Sequence, residues 1–135
     1  MLEAEDKLPL EPGAIYFCPP DYHLLVEGTH ELALSIDGPM RFSRPSIDVL
    51  FESVANAYGT DAIGVVLSGA NEDGSRGLSA IAARGGLTLV QTPATAQAQA
   101  MPSAALLAVP HSVIGSPQHI GWLLTQLALG TAGAG

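Results

Sequence analysis

The chain has 135 residues, thirteen acidic and five basic side chains, a net charge of -8 and 47% hydrophobic residues. That length and apolar content suit one domain with its own core, which excludes a disordered tail. The shortage of basic charge excludes a nucleic-acid surface, and no apolar run reaches the roughly 18 residues of a membrane span.

The N-terminus, "MLEAEDKLPLEPG", carries Glu3, Glu5 and Asp6 and has no basic segment followed by an apolar one, so it is not a secretory signal. A single cysteine, Cys18, has no partner for an internal disulfide and fits a reducing cytoplasm. We read it as a small buried hydrophobe, because His23 alone does not supply a metal cluster; no metal and no cofactor are expected. "AIYFC" is a short apolar strand, Ala14 to Cys18, stopped by Pro19-Pro20, which cannot donate to a ladder. "YHLLVE" and "HELALSI" are strand-like runs around Gly28-Thr29 and predict a hairpin, with His30 solvated at its tip. "DGPMRFSRP" predicts a loop.

"SIDVLFESVANAYG" predicts a helix: Ile47, Leu50, Phe51, Val54 and Tyr58 share one face at helical spacing. Ser46 suits the N-cap, Asp48 the first-turn dipole and Gly59 the C-terminal cap. "DAIGVVLSG" reads as a strand buried on both faces of a parallel sheet. "SRGLSAIAARGG" is a short helix closed by Gly85-Gly86, and "LTLVQ" is a second buried strand. A small-residue loop, "TPATAQAQA", leads to a helix with Pro102 in its first turn. "HSVIG" is a short strand and "SPQHIGWLLTQLAL" a last helix, capped by Ser116, with Ile120, Leu123, Leu124 and Leu127 as its apolar stripe. "GTAGAG" predicts a flexible end, and His111 and His119 predict surface positions. Strands alternate with helices from residue 46 onward, which implies an α/β domain with a mostly parallel, doubly wound sheet in three layers plus the hairpin, and no linker divides it.

The stretch "LSGANEDGSRGL" interrupts this regularity. An apolar strand ends in a polar, glycine-bearing loop that leads straight into a helix. In open α/β sheets ligands sit beyond the carboxyl ends of strands, where Ser68, Gly69, Ala70, Asp73 and Gly74 fall. Asp73 has three readings: a cap on the following helix, the residue that orients a histidine in a hydrolytic triad, or part of an anion-binding loop. Two adjacent acids, Glu72 and Asp73, oppose the last, and the loop lacks the Lys-Ser/Thr of a phosphate-binding loop.

Together, "PLEPGAIYFCPPDYHLLVE", "FSRPSIDVLFESVANAYG", "GVVLSGANEDGSRGL" and "GGLTLVQTPATAQAQAMPSAAL" resemble the CheB-type chemotaxis protein-glutamate methylesterase domain, from about residue 9 to residue 128. The resemblance implies that Asp73 is the carboxylate of a Ser-His-Asp triad in a serine hydrolase that cleaves glutamate methyl esters on chemoreceptors and, by the same attack on an amide, deamidates glutamine. It implies a methylated chemoreceptor or similar protein as substrate and a cytoplasmic site of action. His23 matches a family position at a strand start and has two readings, a loop or packing residue or one that lines the cleft. Arg44 lies in a stretch near the family's cleft, as a contact to a receptor carboxylate or a structural ion pair. Ser68 matches a structural Ser/Thr. Well-known members carry methionine and glycine where Ala70 and Asn71 stand. The family's nucleophile motif, G-A-S-x-G-G, and its histidine segment, H-x-P-P, do not occur here. The matching part is therefore the C-terminal two-thirds of such a domain, without its first strands. A sheet lacking a central strand exposes unpaired edges and apolar surface, so a complementing N-terminal segment or self-association is expected. The 13% content of charged residues, low for a small soluble domain, agrees with a normally covered surface. The alternative is a non-catalytic receptor- or regulator-binding module.

Overall fold

A computed structural model describes residues 1–36 and 44–134, and side chains through residue 129. Most of the loop predicted at "DGPMRFSRP", residues 37–43, lies outside the described residues, as does Gly135.

The elements in chain order are β1 (Leu2–Glu3), β2 (Tyr16–Phe17), β3 (His23–Val26), β4 (Leu32–Ser35), α1 (Ile47–Tyr58), β5 (Ile63–Val66), α2 (Ser75–Ala83), β6 (Leu87–Gln91), α3 (Ala100–Ala108), β7 (Val113–Gly115) and α4 (Pro117–Ala134). Strands β3 and β4 form the expected antiparallel hairpin, with His23 opposite Ser35 and Val26 opposite Leu32. Its tip turns at His30, which has φ 63°. His30 is exposed but not free in solvent: its ring stacks on Tyr58 of α1 at 4.3 Å between centroids. One pairing was not anticipated: β1 lies parallel to β2 and delivers Ala4 into the core beside Leu24, Val26 and Leu32.

Strands β5, β6 and β7 make a parallel sheet in that order. Helices α2 and α3, each linking neighbouring strands, share a face of it, where Leu78, Ala105 and Val109 close over Val66 and Val90. Alternation along a strand sends Leu89 to the opposite face from Val90, and Leu89 is buried too, so β6 is covered on both sides.

The same expectation fails for β5. Gly64 and Val66 are buried, but Ile63 and the following Leu67 are exposed. Among the described residues β5 pairs with β6 alone, and a strand with one neighbour cannot be enclosed like the one in the middle.

Helix α1 joins the hairpin to the sheet. Its predicted stripe serves two cores: Leu50 and Val54 pack on the hairpin cluster, while Phe51 packs on the sheet cluster. Its one fully buried residue is Ala55, which the stripe did not include. Ser53 Oγ adds a polar tie by accepting from Val26 N of β3 at 2.9 Å. On the far side α1 lies against α2. Gly77 makes that approach possible, because a Cβ there would lie 2.5 Å from Phe51 Cβ and 3.0 Å from Asp48 Cα.

The last helix is longer than predicted: α4 continues through the stretch read as a flexible end, to Ala134. Ser116 caps it, its Oγ accepting from His119 N at 3.1 Å, and Ile120 is its buried anchor. Among the described residues no helix is long and apolar enough to cross a membrane.

Candidate active site

The parallel sheet puts the carboxyl ends of β5 and β6 side by side. The first leads into residues 67–74 and the second into residues 92–99. A buried glutamine at the end of β6, Gln91, accepts from Ser68 N through Oε1 at 3.0 Å. Ser68 Oγ donates to Ala98 O at 3.2 Å and accepts from Ala98 N at 2.9 Å, so one hydroxyl meets both main-chain groups of a residue on the neighbouring loop. Gly69 continues the seam: its N donates to Ala98 O at 3.1 Å and its O accepts from Met101 N at 3.0 Å. A Cβ on Gly69 would stand 2.5 Å from Met101 Cε. Ser68 and Gly69 are thus committed to joining two loops, and Ala70 lies exposed beyond them.

Asp73 is half-buried, and its side chain is held on three sides. Oδ2 accepts from Ile47 N at 2.6 Å. Oδ1 accepts from Asp48 N at 2.9 Å and from Ser46 Oγ at 3.1 Å. The main chain of Asp73 is fixed as well, its N donating to Asn71 Oδ1 at 2.9 Å. Ile47 and Asp48 open α1, so Asp73 does cap a helix, but not the one that follows it. A helix leaves its first amide donors unsatisfied; Asp73 takes two of those of α1, and Ser46 Oγ takes a third, from Val49 N at 3.4 Å.

Helix α2 is capped in return by α1. Its N-cap is Gly74, at φ 104°, which has no side chain to offer. Asp48 Oδ1 fills that role, accepting from Gly74 N at 3.0 Å and from Gly77 N at 2.7 Å. Two helices therefore exchange carboxylates across their N-termini, each supplying the other's cap. We call this arrangement the clasp. The sequence places Ser46 correctly and marks Asp48 as a first-turn acid, but its bonds to α2 are not visible there. An acid in a first turn serves its own helix in most chains, and only the packing redirects it.

The remaining candidates lie apart. His23 is 2% exposed, so it does not line an open cleft, and among the described residues its Nδ1 has no hydrogen-bond partner. Arg44 is exposed and donates from Nη1 to Ile36 O at 3.0 Å. Among the described residues neither is hydrogen-bonded to Asp73. Beside the clasp, an apolar depression of about 190 Å³ is lined by Cys18, Leu24, Pro45, Ser46, Ile47 and Leu50. Burial pushes the Cys18 thiol pKa up from its ordinary value. Among the described residues no three His, Cys, Asp or Glu side chains converge as a metal centre would require.

An ionised carboxylate has about four acceptor positions, two on each oxygen. The clasp uses both on Oδ1 and one on Oδ2 of Asp73. Among the described residues one position on Oδ2 is left, on a group that cannot easily turn. Such a carboxylate is suited to holding the N–H of an imidazole in a fixed direction.

The family model described as CheB methylesterase matches residues 1–124. A putative protein-glutamate methylesterase/protein-glutamine glutaminase of Leptospira interrogans is 44% identical over 125 residues, covering 93% of this chain and 65% of the relative. The protein-glutamate methylesterase FrzG of Myxococcus xanthus is 39% identical over 115 residues, covering 84% of this chain and 34% of that protein. The crystal structure of the CheB methylesterase catalytic domain of Thermotoga maritima superposes with a TM-score of 0.84 at 25% identity, over 93% of this chain and 68% of that one. The chain thus spans less than two-thirds of the length of the curated relatives just named.

Proposed function

From the premise that this chain belongs to the CheB methylesterase family, we propose that it contributes the carboxylate of a Ser-His-Asp site that hydrolyses glutamate methyl esters, and by the same chemistry glutamine amides, on a chemoreceptor or similar protein. Asp73 is that carboxylate. The observation that carries the reading is its setting: the carboxylate stands at the sheet end, fixed by three donors, with one acceptor position on Oδ2 left among the described residues.

In this mechanism a serine hydroxyl attacks the ester carbonyl and a histidine takes the proton, then delivers it to the departing methanol. Asp73 holds the imidazole in the tautomer that can accept from serine and stabilises the imidazolium that forms. Main-chain N–H groups stabilise the oxyanion, and water releases the glutamate. These 135 residues contain neither the G-A-S-x-G-G nor the H-x-P-P motif, so the serine and histidine of this reading come from a sequence other than the one described. Among the described residues one edge of β5 is unshared, and with the exposure of Ile63 and Leu67 this favours a complementing strand, or self-association, at that edge. The reading goes with a cytoplasmic site of action.

The test is methanol release from a methyl-esterified receptor by the protein purified from its source cells, compared with Asp73→Asn whose fold has been checked by amide exchange. Loss of about 10⁴-fold in rate is expected, as for the amide replacement of a triad aspartate. Equal rates would remove Asp73 from the chemistry. The absence of the two motifs favours one other reading, a receptor- or regulator-binding module. It predicts receptor binding with no methanol released by either form.

A further inference from the structure

We infer that Asp48 is the positioning residue for Asp73. The inference rests on the reading of Asp73 as the triad carboxylate and adds the residue that sets where that carboxylate stands.

Asp48 is bonded to the Asp73 turn from both of its ends. Its backbone N–H donates to Asp73 Oδ1 at 2.9 Å. Its side-chain Oδ1 accepts from Gly74 N and Gly77 N, at 3.0 and 2.7 Å. Gly74 directly follows Asp73, so the two connections close a small ring of bonds around the carboxylate. The main chain at Asp73 can shift only if Gly74 leaves Asp48 Oδ1. The carboxylate can turn only if it leaves the Ile47 and Asp48 amides. Neither can happen alone, because α1 and α2 touch at Gly77 with no room for even a methyl group. Position and orientation of Asp73 therefore depend on a residue that has no further part in the chemistry. In a triad a small misplacement of the orienting group is costly, since rate falls steeply as reacting groups leave their productive geometry.

The experiment uses the whole chain, with Asp48→Ala and Asp48→Asn. Amide hydrogen exchange and amide proton shifts are read at Ile47, Gly74 and Gly77, with β6 as internal reference. In Asp48→Ala, Gly74 and Gly77 lose their acceptor, and exchange there accelerates about tenfold or more over β6. The decisive amide is Ile47. It donates to Asp73 and not to the Asp48 side chain. If Asp48 positions Asp73, Ile47 exchange also accelerates and its proton resonance moves upfield. Asp48→Asn keeps an oxygen at the Oδ1 position and restores all three amides. If Ile47 is unchanged while Gly74 and Gly77 are released, Asp48 merely caps α2 and the inference is wrong. If Asp48→Ala does not fold, Asp48→Asn carries the test. With the Gly74 and Gly77 amides retained in that variant, Ile47 must stay as in the parent, and its loss would equally refute the inference.

A second readout separates this inference from the reading beneath it. In the assembly that releases methanol, Asp48→Ala is expected to lower kcat about tenfold with KM unchanged, and Asp48→Asn to recover it. If the amides respond as described but Asp73→Asn hydrolyses normally, the triad reading has failed while the coupling within the clasp stands. If Asp73→Asn abolishes hydrolysis and Asp48→Ala leaves kcat intact, the positioning inference has failed and the triad reading stands.

Discussion

Consider replacing each clasp carboxylate by its isosteric amide, Asp73→Asn and Asp48→Asn. The two acids face each other's helices, yet they use their oxygens differently. Asp73 accepts on both, from Ile47 N on Oδ2 and from Asp48 N and Ser46 Oγ on Oδ1. An asparagine there has one oxygen and one NH₂. Turned one way, the NH₂ opposes the Ile47 amide; turned the other, it opposes the Asp48 amide. Ser46 can rotate its hydroxyl, but a backbone N–H is stranded in either case. Asp48 accepts both its amide donors, Gly74 N and Gly77 N, on Oδ1. An asparagine keeps that oxygen and sends its NH₂ elsewhere. A stranded N–H costs about 1–3 kcal/mol, and the lost charge at a helix N-terminus about 0.3–1 kcal/mol. Asp73→Asn should therefore cost roughly 2–3 kcal/mol and Asp48→Asn about 1 kcal/mol or less. Urea unfolding reads the gap. With a gap of about 1–2 kcal/mol and a slope of about 1–3 kcal/mol per molar, the two midpoints separate by roughly 0.3–2 M. Equal midpoints, or a lower one for Asp48→Asn, would refute this account of how the clasp is bonded.

Other parts of the structure make equally definite demands. Gly77→Ala places its methyl against Phe51 Cβ at 2.5 Å and is expected to cost about 1–3 kcal/mol by overpacking. Gly121→Ala, within α4 and with nothing within 4 Å, should stabilise by about 0.5–1 kcal/mol, and the two Tm values must move in opposite directions. Ser68→Ala removes the hydroxyl that serves both Ala98 O and Ala98 N. It should lower stability by about 1–2 kcal/mol while leaving labelling by a serine-directed fluorophosphonate unchanged, and loss of a label would show that Ser68 is a nucleophile after all. Because burial raises the Cys18 pKa, less thiolate is present at a given pH. Its alkylation by iodoacetamide should rise at higher pH than that of a cysteine in an unfolded peptide, and a coincident profile would contradict the burial.

Much of this was legible before any coordinates. The helical spacing of Ile47, Leu50, Phe51, Val54 and Tyr58 marked α1, and Ser46 and Gly59 marked its ends, because periodicity and capping are local properties. The site loop was visible as a break in an apolar strand. What stayed hidden depends on partners distant in sequence. Strand β1 is two residues long and exists only because Tyr16 and Phe17 lie beside it. Strand β5 has the composition of an enclosed strand but, among the described residues, a single neighbour. Asp48 reads locally as serving the dipole of its own helix, and a cap on the following helix is one of three readings of Asp73; in the structure each caps the other's helix. Helix α4 runs past its predicted end because Thr131 to Ala134, small residues that suit a loop, are also compatible with a continued helix.

The clasp also fixes an order of events during folding. Its bonds join residues 25 to 29 apart in sequence, and the segment between them contains β5. Asp73 caps α1 only once α1 has formed and β5 and the loop after it have carried residue 73 back to residues 46–48. Contacts that close such a loop come after the local ones that bring its ends together. A nascent or partly unfolded chain therefore carries this aspartate as an ordinary solvated acid. The carboxylate acquires its fixed direction only when the surrounding architecture is complete, so an incomplete copy lacks the geometry that the proposed chemistry needs.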